Sequence, residues 1–433
     1  MIRFVSTSGT APPVGLAEAI GQALAPDGGL YLPEPLVPFS SAEVNALRGR
    51  PLVEVGQCVL THLLRGCIHE ALLEAIVREA LDFPIPLVRV SERIFALELF
   101  HGPTLAFKDV GARFLARLLA AVAAPASEPL TVLVATSGDT GGAVAHAVHG
   151  VEGTRVVVLY PLGQVSPVQE RQFTTVGGNV LAVAVRGTFD DCQRLVKDAF
   201  ADTGLRQRVR LTSANSINVG RLLPQVFYYF HGWGQLPDDS EPIVSVPSGN
   251  FGNLTAGLIA KRLGLPITRF VAATNANDVV PAYLRTGRYE PRPSERTISS
   301  AMDVGTPGNF ARMMVLYDDD LERLRRDVAG HAQTDADTRA CITRVWQETG
   351  YVLDPHSAVA YLGLEAEMAH RADAVGMLLV TAHPAKFADV VQPLIGDTVQ
   401  VPDRLAALVA RNPEYEIIAP SLDSLIPVLV EPR

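Results

Sequence analysis

From about residue 90 onward, short runs of consecutive apolar residues alternate with stretches of helical periodicity. Ile94–Leu99, Leu130–Ala135, Arg155–Tyr160, Val180–Val185, Ile243–Val246, Phe270–Thr274 and Met377–Val380 read as strands. They are too short for helices, and unbroken apolar character marks strands covered on both faces. Between them, Val110–Ala124, 141–149, Val168–Val176, Phe189–Ala201, 218 to about 231 and 254–263 carry helical spacing. Helices dominate 309–370, and a final helix follows the last strand. Strands separated by helices predict βαβ units, hence an α/β fold with parallel sheets between layers of helices.

Residues 1–90 break this rhythm. Turn residues crowd Pro12-Pro13, Pro26-Asp27-Gly28-Gly29, Pro33, Pro35 and Pro38, and a helix-like pattern follows around 54–81. Pro84 and Pro86 then punctuate the chain and mark a boundary near 90. A length of 433 residues leaves room for two or three domains.

Composition narrows the partners. A net charge of −9 without a basic tail argues against nucleic acid and anionic membrane. The four cysteines (Cys58, Cys67, Cys192, Cys341) form no C-x-x-C and read as reduced, mostly buried thiols. The N-terminal residues carry no signal-peptide core, and the most apolar stretches, such as Met377–Val380, are too short to span a bilayer. Together these predict a cytoplasmic location. His146 and His149 share a helix without a third ligand, no H-E-x-x-H is present, and no metal site is expected.

Open parallel sheets bind ligands at the carboxyl ends of their strands. The unusual polar sequence lies there. After 94–99 comes Phe100-His101-Gly102-Pro103-Thr104-Leu105-Ala106-Phe107-Lys108-Asp109. Lys108 is either a surface lysine in a first helical turn or a lysine whose apolar setting and helix dipole favour the neutral amine of Schiff-base chemistry. After 243–246, Ser248-Gly249-Asn250-Phe251-Gly252-Asn253 opens a helix. That is a capped turn or a phosphate cradle of glycines and free N–H groups. It has neither the Walker pattern nor G-x-G-x-x-G. Thr136-Ser137-Gly138-Asp139-Thr140-Gly141-Gly142 after 130–135 offers a second anion-binding loop, or again a capped turn. Asn215-Ser216-Ile217-Asn218-Val219-Gly220-Arg221 combines neutral donors with a guanidinium fork suited to phosphate, or else caps a helix whose arginine reaches solvent.

His101–Asp109 resembles the cofactor-lysine motif of the threonine synthase family. Ala25–Tyr31, Thr136–Gly142, Asn215–Arg221, Ser248–Gly257, Ser300–Gly305, Asp354–Ala358 and Thr381–Phe387 are similar to the same family and spread the likeness over most of the chain. The resemblance implies the fold of type-II pyridoxal-phosphate enzymes: two three-layer αβα domains with parallel sheets behind a family-specific N-terminal domain. Its expected segments are 1–90, a smaller domain at 91–225 and a larger one at 226–433, with the chain free to cross between the last two. It implies pyridoxal 5′-phosphate as cofactor and Lys108 as its Schiff-base lysine. Phe107, Asp139, Ser248, Gly249, Asn250, Phe251, Gly252, Asn253 and Thr381 become cofactor contacts. Thr381 then faces the pyridine nitrogen, where a hydroxyl leaves the ring nearer neutral than a carboxylate would. Thr104, Thr136, Ser137, Gly138, Thr140, Asn215, Ser216, Arg221 and Lys386 become substrate contacts, with Lys386 a second cation for phosphate. His356 falls in Asp354-Pro355-His356-Ser357, a segment that matches the family and is expected to cap a helix near the site. The implied reaction converts O-phospho-L-homoserine and water to L-threonine and phosphate, in a monomer or homodimer. A serine/threonine dehydratase or a non-catalytic cofactor-binding homologue is the alternative.

Overall fold

The computed structural model describes residues 2–122, 128–238, 240–369, 371, 373–409 and 411–431. Thirteen strands lie in three sheets among these residues. They are β1 (Arg3–Ser6), β2 (Tyr31–Glu34), β3 (Leu87–Arg89), β4 (Ile94–Glu98), β5 (Leu130–Ala135), β6 (Thr154–Pro161), β7 (Val180–Val185), β8 (Leu211–Ser213), β9 (Ile243–Pro247), β10 (Arg269–Thr274), β11 (Val328–Ala332), β12 (Gly376–Val380) and β13 (Glu416–Ile418). β1 and β2 form an antiparallel pair. A six-stranded sheet runs β11-β10-β9-β12-β4-β3, parallel except for β3. A five-stranded sheet runs β13-β7-β6-β5-β8, wholly parallel. The chain crosses between the sheets. β4 joins the six-stranded sheet before β5–β8 build the five-stranded one, and β13 returns to the latter after β12.

The continuous apolar runs follow from burial on both faces. In the five-stranded sheet Val132, Val134, Val156 and Val158 join one core, while Leu133, Val157, Leu159 and Val183 join another. In the six-stranded sheet Leu97, Val244 and Leu379 face one side, and Ala96, Val271 and Leu378 the other. With register pairing Val134 to Val158 and Val158 to Ala182, side chains stack in rows across neighbouring strands.

Several elements match the apolar pattern residue for residue: Leu130–Ala135, Val180–Val185 and Phe189–Ala201. The last is pinned by a capping box between Thr188 and Asp191. Three expectations change. The helix expected over 218–231 is two pieces, Val219–Leu222 and Gln225–Gln235, divided at Pro224, which has no N–H to continue the ladder. The region 309–370 contains β11 as well as helices, because Val328–Ala332 adds an edge strand beside β10. The N-terminal helical pattern resolves into Leu52–Leu63 and Glu70–Ala80. The helix at Lys108–Val122 begins two residues earlier than its pattern, and its expected last residues, 123 and 124, lie outside the described residues. Cys192 and Cys341 are buried as expected, but Cys58 is exposed and Cys67 half-buried; all four are free. No described helix is long and apolar enough to cross a membrane.

Candidate active site

The carboxyl ends of β4, β5, β9 and β12 converge, and the loops that follow them wall a cavity. The β4 and β12 loops are tied together by an isolated bridge between Ala106 and Ala382 and by the Phe107 N–H, which donates to the Thr381 carbonyl. This holds Lys108 at the first position of its helix, with the Thr381 side chain on the same cavity wall. Lys108 keeps 17% of its side chain open to the cavity. Burial pulls its ammonium below the ordinary lysine range; the nearby Asp139 carboxylate opposes this, and Lys386 and Arg221 add to it.

Ser248–Asn253 forms a cradle at the end of β9. Phe251 adopts the left-handed conformation, φ 60°, which turns the chain into the helix Gly252–Arg262. Gly249 sits against the opposing loop so closely that a Cβ there would lie 2.7 Å from the Met302 Cα. Asn253 Oδ1 accepts from the Tyr228 and Tyr229 hydroxyls at 2.6 and 2.7 Å. That orients the amide and leaves its buried Nδ2 with no protein partner. Asn250 ties three loops: its Nδ2 donates to Ser216 Oγ at 2.7 Å, its Oδ1 accepts from the Gly308 N–H, and its carbonyl accepts from Asn309 Nδ2. The helix start supplies further N–H groups with no intrahelical acceptor. A buried orphan donor, a glycine cradle and a lysine across the cavity fit the phosphate and aldehyde of pyridoxal phosphate.

The β5 loop divides its residues. Ser137, Asp139 and Thr140 line the cavity. Thr136 does not, because its hydroxyl accepts from the Gly138 and Gly141 N–H groups at 2.9 and 2.8 Å and shapes the loop. Gly138 shapes it too, at φ 147° and ψ −96°, a conformation only glycine adopts readily. Thr104 is likewise turned inward: its N–H and hydroxyl donate to the Asp109 carboxylate at 2.8 and 2.6 Å. Thr104, Thr136 and Gly138 therefore support the site rather than face the cavity.

Lys386 departs most from expectation. It does not face the cavity as a second phosphate cation. Its ammonium lies 2.5 Å from Asp139 Oδ1 and donates to the Thr104 carbonyl at 2.9 Å. Asp139 also accepts from Gln169 Nε2 at 2.8 Å, and its other oxygen lies 3.9 Å from Lys108 Nζ. Burial alone would raise the Asp139 carboxyl, but the two lysines outweigh it and hold the group well below the usual carboxylate range.

At the far end of the cavity stand Asn215, Ser216 and Arg221. Asn215 staples the end of β5, donating to the Ala135 carbonyl and accepting from its N–H. Asn218 caps the short helix Val219–Leu222 by accepting from the Gly220 N–H. Arg221 is 3% exposed, donates to the Ala214 carbonyl, and leaves its Nε without a partner. Among the described residues it makes no ion pair.

Some wall residues were not among the expected contacts, though Ser300–Gly305 carries the family resemblance. Met302 and Asp303 come from the 300–305 stretch, which follows no strand end, and Phe189 and Gln193 from a helix chosen for its periodicity. Asp303 accepts from Thr297 Oγ1 and Asn275 Nδ2, and burial raises its carboxyl to about 6. His356 lies in the segment Asp354–Ser357, which caps a helix as expected. Asp354 caps that helix by accepting from the His356 and Ser357 N–H groups. His356 Nε2 accepts from the Ala301 N–H (3.2 Å), and its Nδ1 donates to Asp354 (2.7 Å). Arg312 is fully buried and grips the Tyr31, Ser216 and Ile217 carbonyls, joining the N-terminal segment to the Asn215–Arg221 wall.

Fold and cavity define a pyridoxal-phosphate dependent enzyme, and the family model so described matches residues 81–380. Models for the threonine synthase N terminus and C-terminal region match 3–81 and 357–426. The chain is 49% identical over 394 residues to threonine synthase of Haemophilus influenzae, covering 90% of this chain and 91% of that one. It is 45% identical over 395 residues to that of Escherichia coli K12, covering 91% of each. The solved threonine synthase of Escherichia coli superposes with a TM-score of 0.93 at 42% identity, covering 98% and 99% of the two chains. The pyridoxal-phosphate-bound enzyme of Brucella melitensis gives 0.91 at 39%, covering 99% of each. The chain belongs to the threonine synthase family. A threonine deaminase of Solanum lycopersicum, at 15% identity and a TM-score of 0.56, shares the fold.

Proposed function

We propose that this chain is a threonine synthase that converts O-phospho-L-homoserine and water to L-threonine and inorganic phosphate, a carbon–oxygen lyase acting on a phosphate ester. The observation that carries the substrate is Arg221, a buried guanidinium without a carboxylate partner on the cavity wall. A buried cation needs an anion, and a γ-phosphate beside Asn215 and Ser216 supplies one. Pyridoxal phosphate, when bound, withdraws electrons from the substrate's Cα. The Ser248–Asn253 cradle would hold the cofactor phosphate, and Lys108 its aldehyde carbon. Ser137 and Thr140, near the start of the helix Asp139–Val148, receive the substrate carboxylate. With substrate bound, the free Lys108 amine would move protons at Cα; its burial keeps the neutral, proton-accepting form accessible. Arg221, Asn215 and Ser216 orient the phosphate and stabilise it as it leaves. The test is release of phosphate and threonine in equal amounts from O-phosphohomoserine, against ammonia release from serine. Ammonia from serine at a higher kcat/KM would replace this reading with a dehydratase.

A further inference from the structure

The ion pair between Lys386 and Asp139 joins the two sheets beside the cofactor lysine. Asp139 opens the helix after β5 of the five-stranded sheet, and Lys386 follows β12 of the six-stranded sheet. Both are buried, at 4% and 2% exposure. A lysine and a carboxylate buried this deeply persist only as a pair with their remaining donors and acceptors satisfied. Here they are. Asp139 has Gln169 and Lys386, and Lys386 has the Thr104 carbonyl, which also accepts from Gln172 Nε2. Thr104 is itself locked by Asp109, and a Cβ at Gly102 would lie 2.4 Å from an Asp109 oxygen. Removing either charge leaves the other unmatched next to Lys108 Nζ, which stands 3.9 Å from Asp139.

We propose that Lys386 is a positioning residue for the cofactor chemistry. It compensates the Asp139 carboxylate, so that the charge felt by the Lys108 nitrogen is set by the pair rather than by either residue alone. The other charged groups acting on this cluster are Arg221, on the nitrogen of Lys108, and the buried Asp109, which interacts with Lys386 and Arg221 and is itself acted on by Arg113. His146 lies on the helix opened by Asp139, and burial lowers it to about 4, so it is neutral at working pH. The two halves of the pair act on the Lys108 nitrogen in opposite senses.

The inference rests on Lys108 holding the cofactor, and the experiment keeps the two apart. The visible absorption band of the cofactor-loaded protein is titrated with pH, without substrate, for the parent, Lys386→Met, Asp139→Asn and the double variant. Asp139→Asn should lower the midpoint by about one pH unit or more, given a charge 3.9 Å from the Lys108 nitrogen in a partly screened site, and Lys386→Met should raise it. The double variant should return within about half a unit of the parent. Single variants that lose the cofactor while the double variant regains it support the same coupling. Single variants that keep the parental midpoint overturn the proposal, as does a double variant as impaired as the worse single one. A Lys108→Ala protein that retained the parental band would overturn the Lys108 assignment instead.

Discussion

Arg221→Met separates function from stability, because the structure predicts opposite signs for the two. In the unliganded chain the Arg221 guanidinium is buried, unpaired and bonded to one carbonyl. Burial lowers it from 12.5 to about 10, so it stays charged at neutral pH at a cost of about 3 kcal/mol. Methionine removes that cost and forfeits the bond to Ala214, worth about 1–2 kcal/mol. The variant should therefore unfold in urea with a stability about 1–2 kcal/mol above the parent. Catalysis should move the other way. Two charge-assisted bonds to the substrate phosphate are worth about 3–5 kcal/mol, so kcat/KM for O-phosphohomoserine should fall about 10²- to 10³-fold. Arg221→Lys keeps the charge without the fork and should fall between. Gly111 allows this packing; a Cβ there would lie 2.8 Å from the Arg221 carbonyl oxygen. Phosphate release under substrate limitation and urea titration of the same preparations give both readings. A loss under tenfold in kcat/KM, or a less stable Arg221→Met protein, refutes Arg221 as a buried cation kept for an anion.

Other expectations are equally concrete. Gly138→Ala places a Cβ 2.7 Å from the Gln169 side chain at a φ alanine avoids, so it should weaken cofactor binding and cost about 1–3 kcal/mol, read by absorbance titration and thermal unfolding. Burial lowers Arg312 to about 9, a cost of about 5 kcal/mol, but its guanidinium serves four acceptors at about 1.5–2 kcal/mol each, so Arg312→Met should still destabilise the fold by about 1–3 kcal/mol in urea unfolding. Burial lowers His146 and His383 to about 4. The unfolded chain binds their protons more tightly, so the stability they contribute is present above about pH 6.5 and lost as pH falls toward 4. His146→Phe should flatten that fall by about 2 kcal/mol in urea titrations at pH 7 and 5; an unchanged slope contradicts it.

Much of this architecture was legible in the apolar pattern, for a physical reason. A strand buried on both faces, such as Val180–Val185, must be apolar at every position, and no other short element demands that. β11 escaped because it is an edge strand whose Gly330 and His331 dilute the run. The site loops were legible where they directly follow a strand, as at Lys108 and Ser248–Asn253. Position on the chain says nothing about which polar group faces inward. Thr104 and Thr136 carry hydroxyls at plausible places but spend them on Asp109 and on backbone N–H groups. Lys386 looked like a free cation because its partner Asp139 lies on the other sheet, a contact only the tertiary fold creates. Asp303 reaches the cavity from a stretch with no strand before it, so no local rule pointed there.

The central claim is that Lys108 and Arg221 serve one reaction on one phosphorylated amino acid. Its most direct test adds O-phospho-L-homoserine to the cofactor-loaded protein and follows phosphate, threonine and the visible band together. The structure predicts equal release of phosphate and threonine with a spectral change on mixing, and neither in Lys108→Ala. Phosphate release at the uncatalysed rate from a protein that holds its cofactor would contradict it.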